Sequence, residues 1–355
     1  MDWSENGYLA LSALNVKDGY IDFSQDVHYG DQELYDKWMS GNELHKGQVL
    51  FTTEAPMGNV AQVPDNKRYI LSQRTIAFDV KDDIITENFL ATLLRSPSVF
   101  NTLTSLSSGG TAKGVSQKSL AGVDVQIPID LREQTLLADY FHSLDHLITL
   151  HQRKYEEVKI LKKYMLQKMF PQSGQKVPEI RFAGFTEDWE QRKLGDNIVE
   201  YTEKTTENNQ YPVLTSSRKG IFFQTDYYDG NQIASADNTG YNIVPYGYFT
   251  YRHMSDDEIF HFNINDIAEN GIVSTLYPVF TTDENLDSRY LQYQLNYGRE
   301  FAKYAILQKQ GGSRTYMYLN KLRNLYITVP TTIEEQKKIS ECFTNLDHLI
   351  TLHQQ

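Results

Sequence analysis

The sequence predicts an α+β protein that contains two tandem copies of one domain, each followed by a helix. The main observation is an internal repeat, because residues 144–152 and 346–354 share the string LDHLITLHQ at an offset of 202 residues. The same offset aligns the glycine pair at 109–110 with that at 311–312. A period this long indicates a duplicated domain plus a connector rather than an array of short repeats.

Both copies are expected to contain short strands. Apolar, β-branched and aromatic runs separated by turns are typical of strands. In the first copy they fall at 7–11, 19–23, 47–51, 74–78 and 123–127, with a helix over 87–94. In the second copy they fall at 211–214, 221–223, 247–251, 272–280 and 325–329, with a helix over 288–307.

A long helix is expected to begin at the same point in both copies. Residues 130–133 and 332–335 each fit a capping box directly after a strand and a proline. Apolar residues then recur at alternating steps of four and three, which is typical of a helix with one apolar face. In the first copy the pattern continues to Phe170, where Pro171 ends it. About 40 residues at 1.5 Å each would span roughly 60 Å.

A helix of this length needs a partner along its apolar face, and its own repeat is the expected one. The residues assigned to helix pairing or partner docking are Leu137, Phe141, Leu144, Ile148, Tyr155, Val158, Phe343, Leu346 and Ile350.

Composition limits the class of protein. The chain has 355 residues, enough for two domains that each bury a core. Its single cysteine, Cys342, excludes an intrachain disulfide, and no apolar run is long enough to span a membrane. These features are typical of a cytoplasmic protein that has no contact with a membrane. The net charge of -12 argues against nucleic-acid binding, although local patches rather than the total charge guide association.

Several segments resemble one known family. Residues 182–195, 311–314, 330–336, 144–152 and 166–170 are similar to type I restriction-modification specificity subunits, in the same order and at similar separations. The resemblance implies two target-recognition domains that read the halves of a bipartite, asymmetric DNA site and are held apart by long antiparallel coiled-coil helices. It also implies two DNA methyltransferase subunits that modify adenine N6 and restriction subunits that translocate DNA. S-adenosylmethionine, ATP and Mg²⁺ would then belong to those partners, with no cofactor in this chain.

The resemblance and the offset together divide the chain. The expected parts are 1–129, target-recognition domain 1; 130–171, the long connector helix; 172–184, a linker; 185–331, target-recognition domain 2; and 332–355, the second connector helix. Relative to a complete tandem, the first domain is expected to be clipped at its N-terminal end and the second helix at its C-terminal end.

No catalytic residue is assigned. The sequence holds no Asn-Pro-Pro-aromatic motif, with which an adenine methyltransferase would hold its flipped base. Residues 109–114 lack the Gly-Lys-Ser/Thr ending of a phosphate loop. Glu157 and Lys159 have a nuclease-like spacing, but on a helix such charges are typical of a solvated face. No metal site is assigned either, because His142 and His146 have no third ligand in sequence reach.

Both copies carry a glycine pair followed by a hydroxyl and a cation. These candidate DNA-binding residues are Gly109, Gly110, Thr111 and Lys113 in the first copy and Gly311, Gly312, Ser313 and Arg314 in the second. Glycine lets backbone amides approach a phosphate, and the cation adds salt-dependent attraction. A tight turn is an equally good interpretation. Weaker candidates, each also typical of an ordinary surface cation, are Arg218, Lys219, Arg252 and Arg74.

Two functions of different classes are consistent with the sequence. The first is a non-catalytic subunit that recognises double-stranded DNA and gives sequence specificity to a methyltransferase and a restriction enzyme. The alternative is a protein-interaction scaffold, or a truncated specificity subunit, that docks partners without productive DNA binding. The salt dependence of DNA binding distinguishes them, because only phosphate contacts release counterions.

Overall fold

A computed structural model describes residues 3–107, 113–172, 174–231, 233–309 and 313–354. The chain divides into two compact units, Met1–Leu150 and His151–Gln355. Both contain helices and short strands, and the α+β class predicted from the sequence is confirmed. The long helix expected over 130–171 is found at Leu131–Lys168 and contributes residues to each unit.

The first unit contains two small sheets beside short helices. Its elements are β1 (Tyr8–Leu11), β2 (Tyr29–Gly30), α1 (Gln32–Met39), β3 (Val49–Thr52), β4 (Val60–Gln62), β5 (Tyr69–Leu71), β6 (Thr75–Ala77), α2 (Glu87–Leu94), α3 (Pro97–Leu106), α4 (Gln117–Ala121) and the beginning of α5 (Leu131–Lys168). The sheets have the strand orders β2-β1-β5 and β4-β3-β6. Every residue of β3 is buried, so this strand is central to the core.

The second unit repeats this plan with more strands. Its elements are β7 (Glu190–Lys193), β8 (Ile198–Glu200), β9 (Leu214–Ser217), β10 (Gly220–Phe223), α6 (Gln224–Tyr227), β11 (Asn242–Pro245), β12 (Phe249–Thr250), β13 (Met254–Ser255), β14 (Asn263–Ile264), β15 (Asn270–Val273), β16 (Val279–Thr282), α7 (Ser288–Tyr297), α8 (Arg299–Leu307), β17 (Thr315–Tyr316), α9 (Leu319–Leu322), β18 (Tyr326–Val329) and α10 (Ile333–Gln354). Its largest sheet has the order β14-β12-β16-β8.

The prediction of a strand at 123–127 was wrong, because this segment is irregular. Its counterpart in the second copy, β18, pairs with the antiparallel strand β7. At the offset of 202, no described residue of the first copy corresponds to β7. Among the described residues, the segment 123–127 therefore has no equivalent strand to pair with. The strand predicted at 19–23 was also wrong, because only the isolated bridge between Val16 and Ile21 forms there.

Within the second unit, the rest of α5 packs against α10. His151 lies opposite His353, with their Nδ1 atoms 3.0 Å apart, and Phe170 stacks on Phe343 further along. Residue numbers therefore rise along one segment while they fall along the other, so the two segments run antiparallel. Val158 is buried in the core that this packing forms.

A duplicated glutamine fixes the beginning of each long helix. Gln134 is fully buried, and its side-chain oxygen accepts the N–H of Thr86, the N-cap residue of α2, while its amide donates to Pro128 O at 2.8 Å. Gln336 is buried in the same way and accepts the N–H of the N-cap residue of α7 at 2.8 Å. Its amide donates to the carbonyl of Pro330 at 3.1 Å.

A duplicated aspartate holds each helix to its own unit further along. Asp145, in the first copy of the repeat, pairs with Arg95 at the end of α2. Asp347, at the equivalent position, accepts from Lys162 at 2.5 Å and from the Tyr293 hydroxyl at 2.7 Å. The repeated sequence therefore includes the aspartates whose side chains attach each helix to its unit.

The predicted capping box at 332–335 forms only in part. The N–H of Glu335 donates to the Thr332 hydroxyl at 3.3 Å, as expected for a helix start. The Glu335 carboxylate does not complete the box but accepts two hydrogen bonds from Arg181, at 2.7 and 2.8 Å, and one from the Trp189 indole at 3.2 Å. Glu335 thus anchors the residues that lead into β7.

Candidate nucleic-acid interface

A polar cavity of about 220 Å³ lies in the second unit. Two of the candidate cations, Arg218 and Arg252, line it together. The other residues of the lining include hydroxyl and aromatic side chains, among them Tyr227, Tyr228 and Tyr277. Cations beside aromatic rings and hydroxyl groups are the chemistry that proteins present to nucleic acids.

Arg218 lies at the tip of a hairpin. Strand β9 pairs with β10 so that Ser217 is opposite Gly220, which leaves Arg218 and Lys219 as a two-residue turn. Gly220 has a φ of 126°, which is favourable only for glycine. The guanidinium of Arg218 donates to Asp257 at 2.5 Å, while Lys219 is exposed. Hydrogen bonds from Arg218 and then Ser255 lower the pKa of Asp257 to about 2, so the pair is charged at neutral pH.

Three consecutive acidic residues each bind a cation from a different element. Besides the Asp257 pair with Arg218, Asp256 accepts from Arg314 at 2.8 Å and Glu258 pairs with Lys309. The side chains of Asp256 and Arg314 are both more than half exposed, so this ion pair contributes little to stability. Separation of Arg314 from Asp256 would therefore cost little stability.

The first unit has a related arrangement at an equivalent position. Glu54 aligns with Asp256 at the 202 offset, and it pairs with Arg74 at 3.3 Å. An isolated bridge joins Glu54 to Gly114, which places Lys113 in the adjoining segment. Lys113 is exposed. In each unit, therefore, the carboxylate at this position forms an ion pair with a candidate arginine. The two arginines, however, do not occupy equivalent positions of the repeat.

The structure describes part of the two glycine motifs. Gly109, Gly110, Thr111, Gly311 and Gly312 lie outside the described residues. Ser313 is described, and it is exposed beside Arg314. The cations of the two glycine motifs differ in their surroundings, since Arg314 has an acidic partner and Lys113 forms no ion pair among the described residues.

The apolar residues assigned to helix pairing or docking fall into two groups. Val158, Phe343 and Leu346 are buried in the core of the second unit, Ile350 packs against that core, and Tyr155 is half-buried. The other group is exposed by 36–55% in the first unit: Leu137, Phe141, Leu144 and Ile148. At the offset of 202, Phe141 corresponds to Phe343, so equivalent positions are covered in one copy and open in the other.

Sequence reasoning did not identify the acidic residues 256–258 as partners of the candidate cations. Three acidic residues in a row do appear in the sequence, but the elements that carry their partners are far apart in the chain. The alignment of Glu54 with Asp256 at the repeat offset was the one sequence feature that pointed to them.

Among the described residues, no group of three or more histidine, cysteine and acidic side chains could hold a metal ion. None of the helices in the described ranges is both long and apolar enough to cross a membrane.

Comparison with known proteins identifies a family. A family model described as the type I restriction modification DNA specificity domain matches residues 21–160 and 186–355. The type I restriction enzyme MjaVIII specificity subunit of Methanocaldococcus jannaschii is 22% identical over 381 aligned residues, which cover 98% of this chain and 81% of the relative.

Solved structures are also similar to this chain. The S subunit of a type I restriction-modification system from M. genitalium matches with a TM-score of 0.55 and 12% identity, over 99% of this chain and 85% of that one. The HsdS subunit from Thermoanaerobacter tengcongensis has a TM-score of 0.43 and 18% identity, over 88% and 75% of the two chains.

The family model covers most of the chain in two segments, one in each copy of the duplicated unit. This agrees with the tandem organisation that the repeat predicts. Specificity subunits are the non-catalytic members of type I systems, and DNA recognition is the role that the family name implies. The chain belongs to the family of type I restriction-modification DNA specificity subunits.

Proposed function

We propose that this chain reads a bipartite, asymmetric site on double-stranded DNA and brings methyltransferase and restriction subunits to it in the cytoplasm. The observation that carries the proposal is the pair of unlike cation arrangements in the two copies. At equivalent positions, Glu54 holds Arg74 in one unit and Asp256 holds Arg314 in the other. Unlike surfaces should read unlike bases, so the two half-sites should differ in sequence.

We also propose that a partner subunit binds the exposed apolar face of α5. Leu137, Phe141, Leu144 and Ile148 recur at helical spacing and are open on the first unit. Apolar side chains in such a row are typical of a surface that receives another helix. The proposed partners are two adenine-N6 methyltransferase subunits and the restriction subunits, which would supply S-adenosylmethionine, ATP and Mg²⁺.

The second candidate is a scaffold that docks these partners without productive DNA binding. Two observations favour it: the net charge of -12 and the acidic partners of Arg218 and Arg314. In this case the ion pairs with carboxylates would prevent these arginines from binding phosphate. The protein would then act only through partner subunits that bind the apolar face of α5.

Titration of duplex DNA binding with salt separates the two candidates. The chain would be measured alone and with its methyltransferase, at several salt concentrations. DNA recognition predicts affinity that falls linearly with the logarithm of salt concentration, because each phosphate contact releases counterions. A flat response in both preparations would contradict DNA recognition and support the scaffold.

The cations of the glycine motifs give a sharper expectation. Replacing Lys113 or Arg314 with alanine should weaken binding to all duplex sequences alike and lower the salt slope by about one unit, because each would remove one phosphate contact. Lys67→Ala, at an exposed lysine outside the candidate set, is the matched control and should leave the slope unchanged. If both test variants keep the original slope, their phosphate assignment is wrong.

A further inference from the structure

Arg252 differs from the other arginines of the candidate set in having no carboxylate partner among the described residues. Arg74, Arg218 and Arg314 each form an ion pair with a carboxylate. In the described part of the chain, Arg252 forms neither a hydrogen bond nor an ion pair, although it lines the same cavity as Arg218. Its five N–H donors are thus available to a ligand that enters the cavity.

The backbone that carries Arg252 is fixed on both sides. Tyr251 is fully buried, and its hydroxyl donates to Met317 O at 2.8 Å. His253 is 7% exposed, and its Nδ1 lies 2.5 Å from the Leu276 carbonyl oxygen. Since these two neighbours point into the unit, the Arg252 side chain between them is directed outward. The backbone from which the Arg252 side chain extends is therefore held in place.

The cavity around Arg252 is suited to a base edge. Tyr277 lies close enough for the Arg252 charge to oppose the rise in the Tyr277 pKa that burial causes. Tyr227 and Tyr228 add aromatic surface to the lining, and Thr215 and Ser217 add hydroxyl groups. An exposed arginine that only neutralised a phosphate would need none of these surroundings.

We propose that Arg252 reads a guanine in the half-site bound by the second unit, through two N–H donors directed at O6 and N7. This inference rests on the proposed function, because it assigns a role within DNA recognition. A guanidinium matches guanine in this bidentate manner better than any other base. The arginines with acidic partners would then position the backbone, since exchange of a carboxylate for a phosphate carries no sequence information.

The test is a selection of bound duplexes from a random pool by the chain in complex with its methyltransferase. Wild type, Arg252→Gln, Arg252→Lys and Arg218→Ala would be compared. The inference predicts that Arg252→Gln loses the preference for one guanine by roughly tenfold to a hundredfold, and that Arg252→Lys, whose ammonium lacks the planar fork, weakens this preference by less, while the remaining positions keep theirs. Arg252→Lys keeps the charge, so its salt slope should match that of wild type. Arg218→Ala, which would remove a proposed phosphate contact, should weaken binding to all sequences alike and leave the selected bases the same.

Three results would overturn the inference. The variants could recover the unchanged motif, or the wild-type motif could lack a guanine in the half-site of the second unit. Alternatively, Arg252→Gln could weaken binding to all sequences alike and lower the salt slope by about one, which would identify a phosphate contact. If wild type selected no motif at all, the proposed function would be wrong, and the role of Arg252 with it. Unfolding curves for each variant would show that an exposed substitution leaves the fold intact.

Discussion

Replacing Phe343 with alanine should lower the free energy of unfolding of the second unit by about 3–5 kcal/mol. The Phe343 ring is fully buried, stacks on Phe170 at 5.9 Å between ring centroids and lies 5.1 Å from the Tyr293 ring. Alanine would remove these contacts and leave a cavity that the packed helices cannot close. Urea unfolding of the full chain, followed by circular dichroism, would measure the loss.

The repeat supplies a matched control for this substitution. Phe141 is the same residue at the equivalent position of the first copy, but it is 48% exposed. Phe141→Ala should therefore cost much less stability, while it should weaken methyltransferase binding if the exposed face of α5 is the docking surface. Equal losses of stability in the two variants would contradict the burial difference between the two copies.

Replacing Glu335 with alanine should destabilise the second unit by a similar amount, about 3–5 kcal/mol. The carboxylate is 1% exposed and accepts both hydrogen bonds of the Arg181 fork as well as the Trp189 indole N–H. Its removal would leave the largely buried guanidinium without a counter-charge. Thermal unfolding of the full chain by calorimetry would detect this loss as a lower transition temperature for the second unit.

Glu334→Ala is the control for this effect. Glu334 is exposed and, like Glu335, lies in the first turn of α10, where a negative charge interacts favourably with the helix dipole. The control should therefore lose only about 0.3–1 kcal/mol. A loss for Glu335→Ala no larger than that of Glu334→Ala would show that the buried ion pair contributes little.

Much of the architecture could be predicted because the sequence contains the same domain twice, so that equivalent residues indicate equivalent structural roles. The offset that aligns Gln134 with Gln336 and Asp145 with Asp347 was visible in the sequence, and the structure gives each pair the same role in fastening a helix. Apolar periodicity placed α5 close to its observed bounds, because a pattern sustained over so many turns leaves few alternatives.

Other features depended on partners that are distant in the sequence. The irregular segment 123–127 has the composition of a strand, but a strand forms only where another strand can pair with it. Similarly, nothing local distinguishes Arg252 from Arg314, since the acidic partner of Arg314 lies 58 residues away. Charge pairing between loops is decided by tertiary structure, so the candidate cations could be named from the sequence but not ranked.

Sequencing of modified bases in DNA from cells that carry this chain and its methyltransferase tests the central claim most directly. The account predicts adenine-N6 methylation at a single two-part motif, with two different half-sites separated by a fixed number of unspecified base pairs. It also predicts that the motif disappears when this chain is absent and the methyltransferase remains. Methylation at a palindromic motif, or a motif unaffected by loss of the chain, would contradict the account.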